Sequence, residues 1–584
     1  MSRSLLNFGA GCVVASWLSA CVVEVHDSAP PSNMAGTSSA ALGGSSGQGL
    51  GNGGSSSSVA EATGGSANPS TGAPSSVLSS SGNPAGVRCA ESTLAPPVLR
   101  RLTATEWART VAAALPLLSE SLATTIGPDP ISTQGFDNDA SLLVVNAVTG
   151  QKLLDSGRTL ASRQAARLNT DLACSQTSPD RSCAATYLDR VGPRLFRRTL
   201  SAAERQRYLD YFASVAARSD FATALGWMVT ALIQSPHTLY RSEVGTLRAG
   251  ERRLSANEIA NQLAYAFSGG PPSEELLRRA EAGEFESDAA RMAVARELLS
   301  SNEGRAALLR FFTQWSDLNR VAVASRPAVA NFADVKTAMQ QETERFIGEV
   351  VLARDGSVRD LLTAPYTFVN GTLSAFYGFG SAGTDFALTQ RPPKVGIGLL
   401  AQGAILTGRS HSNGSSPTLR GLFVYEKLLC NARPHPPAGI PAIVAPMVGA
   451  TTTRQRYEST HAASKACQGC HQLFDPAGFG LEHFDETGRY REQEGGLAID
   501  ATGVLPGSTL GFNGEVELSQ RLAARSEVAA CVTGMMSSYW FGGAGGRSCL
   551  AEEARTALTD GQVGLREYAA RLAAAPSVTR RSAQ

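Results

Sequence analysis

The sequence predicts a mainly α-helical protein made of several modules, and three observations predict it. Apolar residues recur at helical spacing through most of the chain beyond residue 90. Ser/Thr-x-x-Glu signatures, which start helices by satisfying the first unpaired N–H groups, precede these stretches at Thr103–Glu106, Ser201–Glu204 and Ser255–Glu258. Strand signals are nearly absent. With 584 residues, 43% of them hydrophobic, the chain has material for several domains rather than one.

The first element is an address. Arg3 precedes an apolar stretch from Leu5 to Leu18, too short for a spanning helix, which ends in Leu18-Ser19-Ala20-Cys21. Residues 1–21 therefore read as a bacterial lipoprotein signal, with Cys21 the lipidated residue; an ordinary secretory signal is the alternative. Val22, rather than an acidic residue, favours the outer membrane. Residues 22–90 are rich in Ser, Gly, Ala, Pro and Thr, so they bury too little apolar surface to offset their ordering entropy and form a tether. No later apolar run reaches the length of a membrane span, so attachment rests on the lipid.

The N-terminal helical modules, 91–245, open on the helix capped by Thr103, carrying Trp107, Val111 and Leu115. A polar turn at Gly135-Phe-Asp-Asn-Asp139 follows, then Leu142 to Val148 and an amphipathic pattern to about Leu172. Arg197-Arg198 reads as a solvated face or a carboxylate clamp, and Phe221 to Ile233 as an apolar helix ended by Ser235-Pro236. His237 in the next turn reads as a hydrogen-bonding residue rather than a ligand. A central helical module, 246–380, and a module with a proline-rich segment, 381–445, precede the last region, 446–584. There Gly495-Gly496 marks the one clear β-hairpin.

Chemistry concentrates at Cys467-Gln-Gly-Cys470-His471. Two thiols at this spacing reach the two vinyl groups of one porphyrin, and the adjacent imidazole becomes the proximal iron ligand, so the stretch reads as the attachment site of one covalent haem c. Cys467 and Cys470 would bind the cofactor and His471 the metal. Asp475-Pro476 lies within reach of the ring of His471 to fix its orientation. Arg489 and Arg491 suit haem propionates or, equally, the outward side of a strand. For the sixth iron position the sequence offers Met535 or Met536, which also read as core filling, or His461, or an open site. The same Cys-x-x-Cys spacing serves a redox dithiol or half of a zinc site, whose further ligands would be Cys430 with His461 or His435.

The chain has ten cysteines. Setting aside Cys12, Cys21 and the motif pair leaves an even set in an oxidising compartment, and closeness in sequence favours Cys174 with Cys183 and Cys531 with Cys549. Cys89 with Cys430 then follows by elimination.

Several stretches, taken together, resemble one family. Arg101-Leu102-Thr103 with Glu106, Gly135-Phe136-Asp137-Asn138, Arg197-Arg198 and Leu232-Ile233-Gln234-Ser235-Pro236 come first. Leu361 to Asn370 with Tyr377-Gly378, Ser416-Pro417 with Arg420-Gly421, Leu428-Leu429-Cys430 and the prolines from Pro434 to Pro441 follow. Cys467-x-x-Cys470-His471, Asp475-Pro476-x-Gly478-Phe479, Leu481-Glu482-x-Phe484-Asp485 and Gly488-Arg489-Tyr490-Arg491 close the series. In this order they resemble the planctomycete-type cytochrome c modular family, large secreted proteins also common in myxobacteria. The resemblance covers about residue 95 to the C-terminus and implies haem, export and a C-terminal cytochrome c-like haem module containing the small β-hairpin. It implies no substrate, because the modules are of unknown function. His483 stands where asparagine is more usual, and Phe541 to Gly546 replaces a more regular stretch.

A formal net charge of +1, without basic or acidic runs, argues against nucleic acid as a partner. The expectation is a lipid-anchored c-type haem protein of the bacterial envelope, engaged in electron transfer with redox partner proteins. The alternative is a surface binding or scaffold protein in which the haem, a Cys-x-x-Cys disulfide or a zinc site is structural. The anchor is checked directly: Cys21→Ala should abolish metabolic labelling with a diacylglyceryl donor and move the protein out of the membrane fraction. A labelled variant overturns the lipoprotein reading.

Overall fold

The computed structural model describes residues 94–115, 126–165, 172–380, 383–435, 451–461, 465–542 and 563–583. Cys21, the tether, Cys89 and Cys549 lie outside the described residues. The described body is mainly helical, as the spacing of apolar residues requires, and all three expected capping boxes form. Thr103, Ser201 and Ser255 each accept from the backbone N–H three residues on, and Glu106, Glu204 and Glu258 reach back to the cap. Among the described residues no helix is long and apolar enough to cross a membrane.

Two apolar clusters hold the body together. The first gathers the helices Ala104–Ala114, Arg181–Phe196, Ala202–Ala216 and Phe221–Gln234 around fully buried residues such as Trp107, Tyr187, Met228 and Leu232. The second joins Phe136 to residues between Leu254 and Val578 and includes Phe311, Phe312, Trp315, Phe346 and Met536. It takes in residues on both sides of the proline-rich segment, so the region around Cys467–His471 shares a core with the central helices.

Strands are more frequent than the sequence suggests. Among the described residues they pair antiparallel in 2- and 3-stranded sheets. Val98–Arg101 pairs with Tyr240–Glu243, and Arg580–Ser582 with Glu251–Arg253, which brings the start, the middle and the end of the body together. None of these strands exceeds 4 residues, too few for alternation to stand out from helical spacing. The expected hairpin forms, with Leu497 opposite Glu494 and Ala498 opposite Gln493. Gly495 and Gly496 have φ of 58° and 82°, the left-handed pair that this two-residue turn demands.

The paired arginines divide their roles. Arg198 grips Glu204 with both terminal nitrogens, at 2.9 and 2.7 Å, the carboxylate clamp, and His237 adds an ion contact to the same carboxylate at 3.1 Å. Arg197 is not on a solvated face. It is 2% exposed and donates to the carbonyls of Leu195, His237, Thr238 and Tyr240.

The Cys174–Cys183 disulfide is present, and the Cys531–Cys549 pairing is corrected: Cys531 is bonded to Cys430, 101 residues away. The helix Ser526–Trp540 packs against the π-helical turn Val424–Leu428 and sets Cys531 with its Cα 5.4 Å from that of Cys430. The elimination that paired Cys430 with Cys89 falls with it. A loop of this length makes the cross-link worth about 2–5 kcal/mol through the unfolded state. Non-reducing peptide mapping should therefore recover Cys174–Cys183 and Cys430–Cys531, and Cys531→Ala should lower unfolding stability by about 2–5 kcal/mol. Recovery of a Cys531–Cys549 peptide instead would contradict the fold.

Candidate functional site

The motif occupies the helix Lys465–His471. Residues three and four apart share a helix face, so Cys467, Cys470 and His471 stand side by side. Both thiols are partly exposed and neither is in a disulfide. Four residues on, Asp475 is buried, and its Oδ2 lies 3.0 Å from Nδ1 of His471. A carboxylate only accepts, so Nδ1 is the donor, and a metal would be taken at Nε2. Thr418 donates to Oδ1 of Asp475 at 2.7 Å and fixes the carboxylate in turn. The ring of Phe474 meets the imidazole edge-on at 5.2 Å. The donor set fits a covalently held haem: two free thiols on one face, beside an imidazole whose tautomer is set by a buried anion.

This geometry depends on how the helix Asp475–Phe479 is seated. It crosses the helix Pro417–Phe423 with backbone against backbone. A Cβ at Gly478 would lie 1.9 Å from the carbonyl oxygen of Pro417, and one at Gly421 would lie 1.9 Å from that of Phe474. Both glycines are therefore demanded by close approach. Beside the crossing, the guanidinium of Arg420, 1% exposed, donates to the carbonyls of Leu481 (2.9 Å), Phe484 (2.7 Å) and Asp485 (2.6 Å) and to Ser410 Oγ (3.0 Å). It also faces Glu482 at 3.5 Å. Burial lowers Arg420 to about 10, which leaves it charged at neutral pH. Glu482 is 1% exposed and accepts from Ser415 Oγ at 2.6 Å; burial pushes its carboxyl up, against the pull of Arg420, Ser415 and Arg491.

Some expected site residues have other duties. Arg491 pairs with Glu482 and Glu494, while Arg489 pairs with Asp485 and lies over Phe376, so both are engaged by the chain itself. Met536 is fully buried in the large core and Met535 packs against it, the core-filling role. Cys430, spent in a disulfide, is lost to the zinc reading. His461 ends the helix Thr453–His461. Thr418 was not legible as a site residue, because it lies 57 residues from Asp475 and nothing in its neighbourhood points there.

Next to the motif runs an open cleft of about 780 Å³, lined among others by Gln472, Pro476, Phe479, Val504 and Phe512. Its volume is that of a small-molecule site. It adjoins the motif through Gln472 and Pro476, the neighbours of His471 and Asp475, and is not lined by Cys467, Cys470 or His471 themselves.

Comparison with known families places four matches in chain order. Residues 100–166 match PSD3, described as a protein of unknown function (DUF1587), and residues 183–243 match PSD5 (DUF1595), described likewise. Residues 254–379 match PSD4 (DUF1592), and residues 397–494, which contain the Cys-x-x-Cys-His motif, match PSCyt3 (DUF1588), both again of unknown function. No curated protein and no solved structure matches the chain.

The helix crossing gives a prediction with an internal control. Gly478→Ala and Gly421→Ala should each cost about 1–3 kcal/mol or more in denaturant unfolding, because backbone must move. At Gly469, on the motif helix, a Cβ meets nothing within 4 Å. Gly469→Ala should be neutral or stabilising by up to about 1 kcal/mol. Equal effects at all three positions would remove the crossing as the constraint.

Proposed function

This chain belongs to the planctomycete-type cytochrome c modular family, and from that premise we propose that it is an exported, lipid-anchored c-type haem protein serving electron transfer at the cell envelope. The observation that carries the reading is the set of two free thiols and one oriented imidazole on a single helix face, inside the segment that matches PSCyt3. Cys467 and Cys470 would hold the haem by thioether bonds, with His471 as proximal ligand. When bound, the haem supplies a one-electron iron centre. The chain's own residues tune that centre. Asp475 holds the proton of His471 Nδ1 and so makes Nε2 a stronger donor, and Thr418 keeps Asp475 in place.

Location and partners follow from the same reading. Lipid on Cys21 would hold the chain at the outer membrane, and the tether 22–90 would let the body reach redox partner proteins of the envelope.

A pyridine haemochrome spectrum of protein matured with the haem c attachment machinery, then extracted with acid acetone, should retain one c-type haem per chain. Cys467→Ala with Cys470→Ala should retain none, and His471→Ala should shift the Soret band. Asp475→Asn should keep the haem and raise its midpoint potential, since the ligand loses donor strength. Wild-type protein that retains no haem overturns the reading. A haem whose potential and spectrum do not respond to Asp475→Asn overturns the role given to Asp475.

A further inference from the structure

The described body begins at Leu94, and the chain enters it beside a small basic sheet. Ser582 donates its N–H to the carbonyl of Ala95 at 2.9 Å. It ends the strand Arg580–Ser582, which pairs with Glu251–Arg253, itself paired with Thr246–Arg248. Arg248 and Glu251 flank the two-residue turn Ala249-Gly250, whose φ of 49° and 85° suit a tight hairpin. Arg580 and Glu251 stand 329 residues apart in sequence, so the fold assembles this cluster and no basic run announces it.

Register decides what the sheet shows. Opposed residues share a face and successive ones alternate, so Thr246, Arg248, Glu251, Arg253, Arg580 and Ser582 lie on one side. That side carries three guanidiniums and one carboxylate. Arg253 at 3.0 Å and Arg580 at 3.2 Å both pair with Glu251, which is 7% exposed, while their own side chains stay 64% and 37% exposed. Arg248 is exposed and has no ion-pair partner among the described residues. Carboxylates close by do not cancel the excess. Glu243 is buried and met by Arg100, Arg241 and Arg581. Glu258 accepts from Ser242 and from the amides of Val244 and Gly245, and Asp288 is paired with Arg291, whose guanidinium feels Arg580.

The chemistry of the face and its place in the chain name the occupant. It bears no apolar side chain, whereas the centre of a protein interface is depleted of charge. Guanidiniums match phosphate oxygens in geometry as well as in charge. The face also stands where residues 22–90 join the body, and with lipid on Cys21 that tether ties the body to a membrane. An encounter within one tethered molecule needs little intrinsic affinity, because the tether sets a high effective concentration.

We propose that the face formed by Arg248, Arg253 and Arg580 docks on the anionic phospholipid headgroups of the membrane. This rests on the envelope reading given above and adds a second contact to the lipid on Cys21. It is independent of the haem motif and of any electron-transfer role.

The test uses the exported chain from residue 22, without lipid, in cosedimentation with vesicles of phosphatidylglycerol or of phosphatidylcholine. Binding to phosphatidylglycerol is expected, with little to phosphatidylcholine, and about 0.5 M salt should release the protein by screening. Each basic side chain near an anionic surface is worth about fivefold in binding. Arg248→Gln with Arg253→Gln leaves Glu251 paired with Arg580 and should weaken binding about tenfold or more. Arg207→Gln with Arg218→Gln removes the same charge from exposed positions on and after the helix Ala202–Ala216, and should bind like the wild type. The proposal is overturned if phosphatidylglycerol is not preferred, if the sheet variant binds like the wild type, or if the two double variants weaken binding equally. No lipidated cysteine is present in this assay, so a failure of the anchor reading at Cys21 leaves its outcome untouched.

Discussion

Arg420 is the contact on which the motif region depends. A guanidinium taken out of water costs several kcal/mol unless its N–H groups are met by acceptors, and here the acceptors are the carbonyls of Leu481, Phe484 and Asp485. These belong to the loop that follows the helix Asp475–Phe479. The loop is therefore held in one path, and the path positions that helix against Pro417–Phe423. Gly421, adjacent to Arg420, and Gly478 permit the backbones to touch. Thr418, on the same helix as Arg420, then falls within reach of Asp475 and through it sets His471. Orientation of the imidazole is thus fixed from a helix more than fifty residues upstream, not by the motif itself.

The same helix continues into the π-helical turn Val424–Leu428 and then Cys430, bonded to Cys531. Trp315 donates to the carbonyl of Lys427 at 3.2 Å from the other side. One continuous stretch, Pro417 to Cys430, therefore joins the motif, the helix Ser526–Trp540 and the central helices. This is why the region around Cys467–His471 shares the large core instead of forming its own. A cofactor held there sits on a frame whose rigidity comes from the whole body.

What was legible in the sequence is what spans few residues. The capping boxes need three residues, the Gly495-Gly496 turn two, the Cys174–Cys183 loop nine and the Asp475–His471 contact four, and each formed as read. The Cys-x-x-Cys-His spacing is legible for the same reason, because the motif spans five residues of one helix. Cys531 was misassigned because nearness in sequence is a poor guide once helix packing brings residues 101 apart together. Arg491 was open between propionate and surface because Glu482 and Glu494, its partners, are near in sequence yet could face either way until the loop was fixed by Arg420. The short strands escaped because 2 to 4 residues carry no readable period.

A device recurs at each joint of the body: a single buried glutamate held by groups from elsewhere in the chain. Glu482 is met by Arg420, Arg491 and Ser415. Glu342, fully buried, accepts from Thr367 at 2.6 Å, from Tyr377 at 2.7 Å and from Arg391 at 3.1 Å. Glu243 is met by Arg100, Arg241 and Arg581. Buried ion pairs add little net stability, and their best-attested use is to fix register, since a misplaced partner leaves a bare charge inside. An apolar core shared by so many helices tolerates sliding, and these carboxylates do not. Their electrostatics also separate them. Burial dominates at Glu482 and Glu342, and both carboxyls are pushed up. At Glu243 burial acts in the same sense, yet the three arginines outweigh it and hold the carboxyl down at about 2.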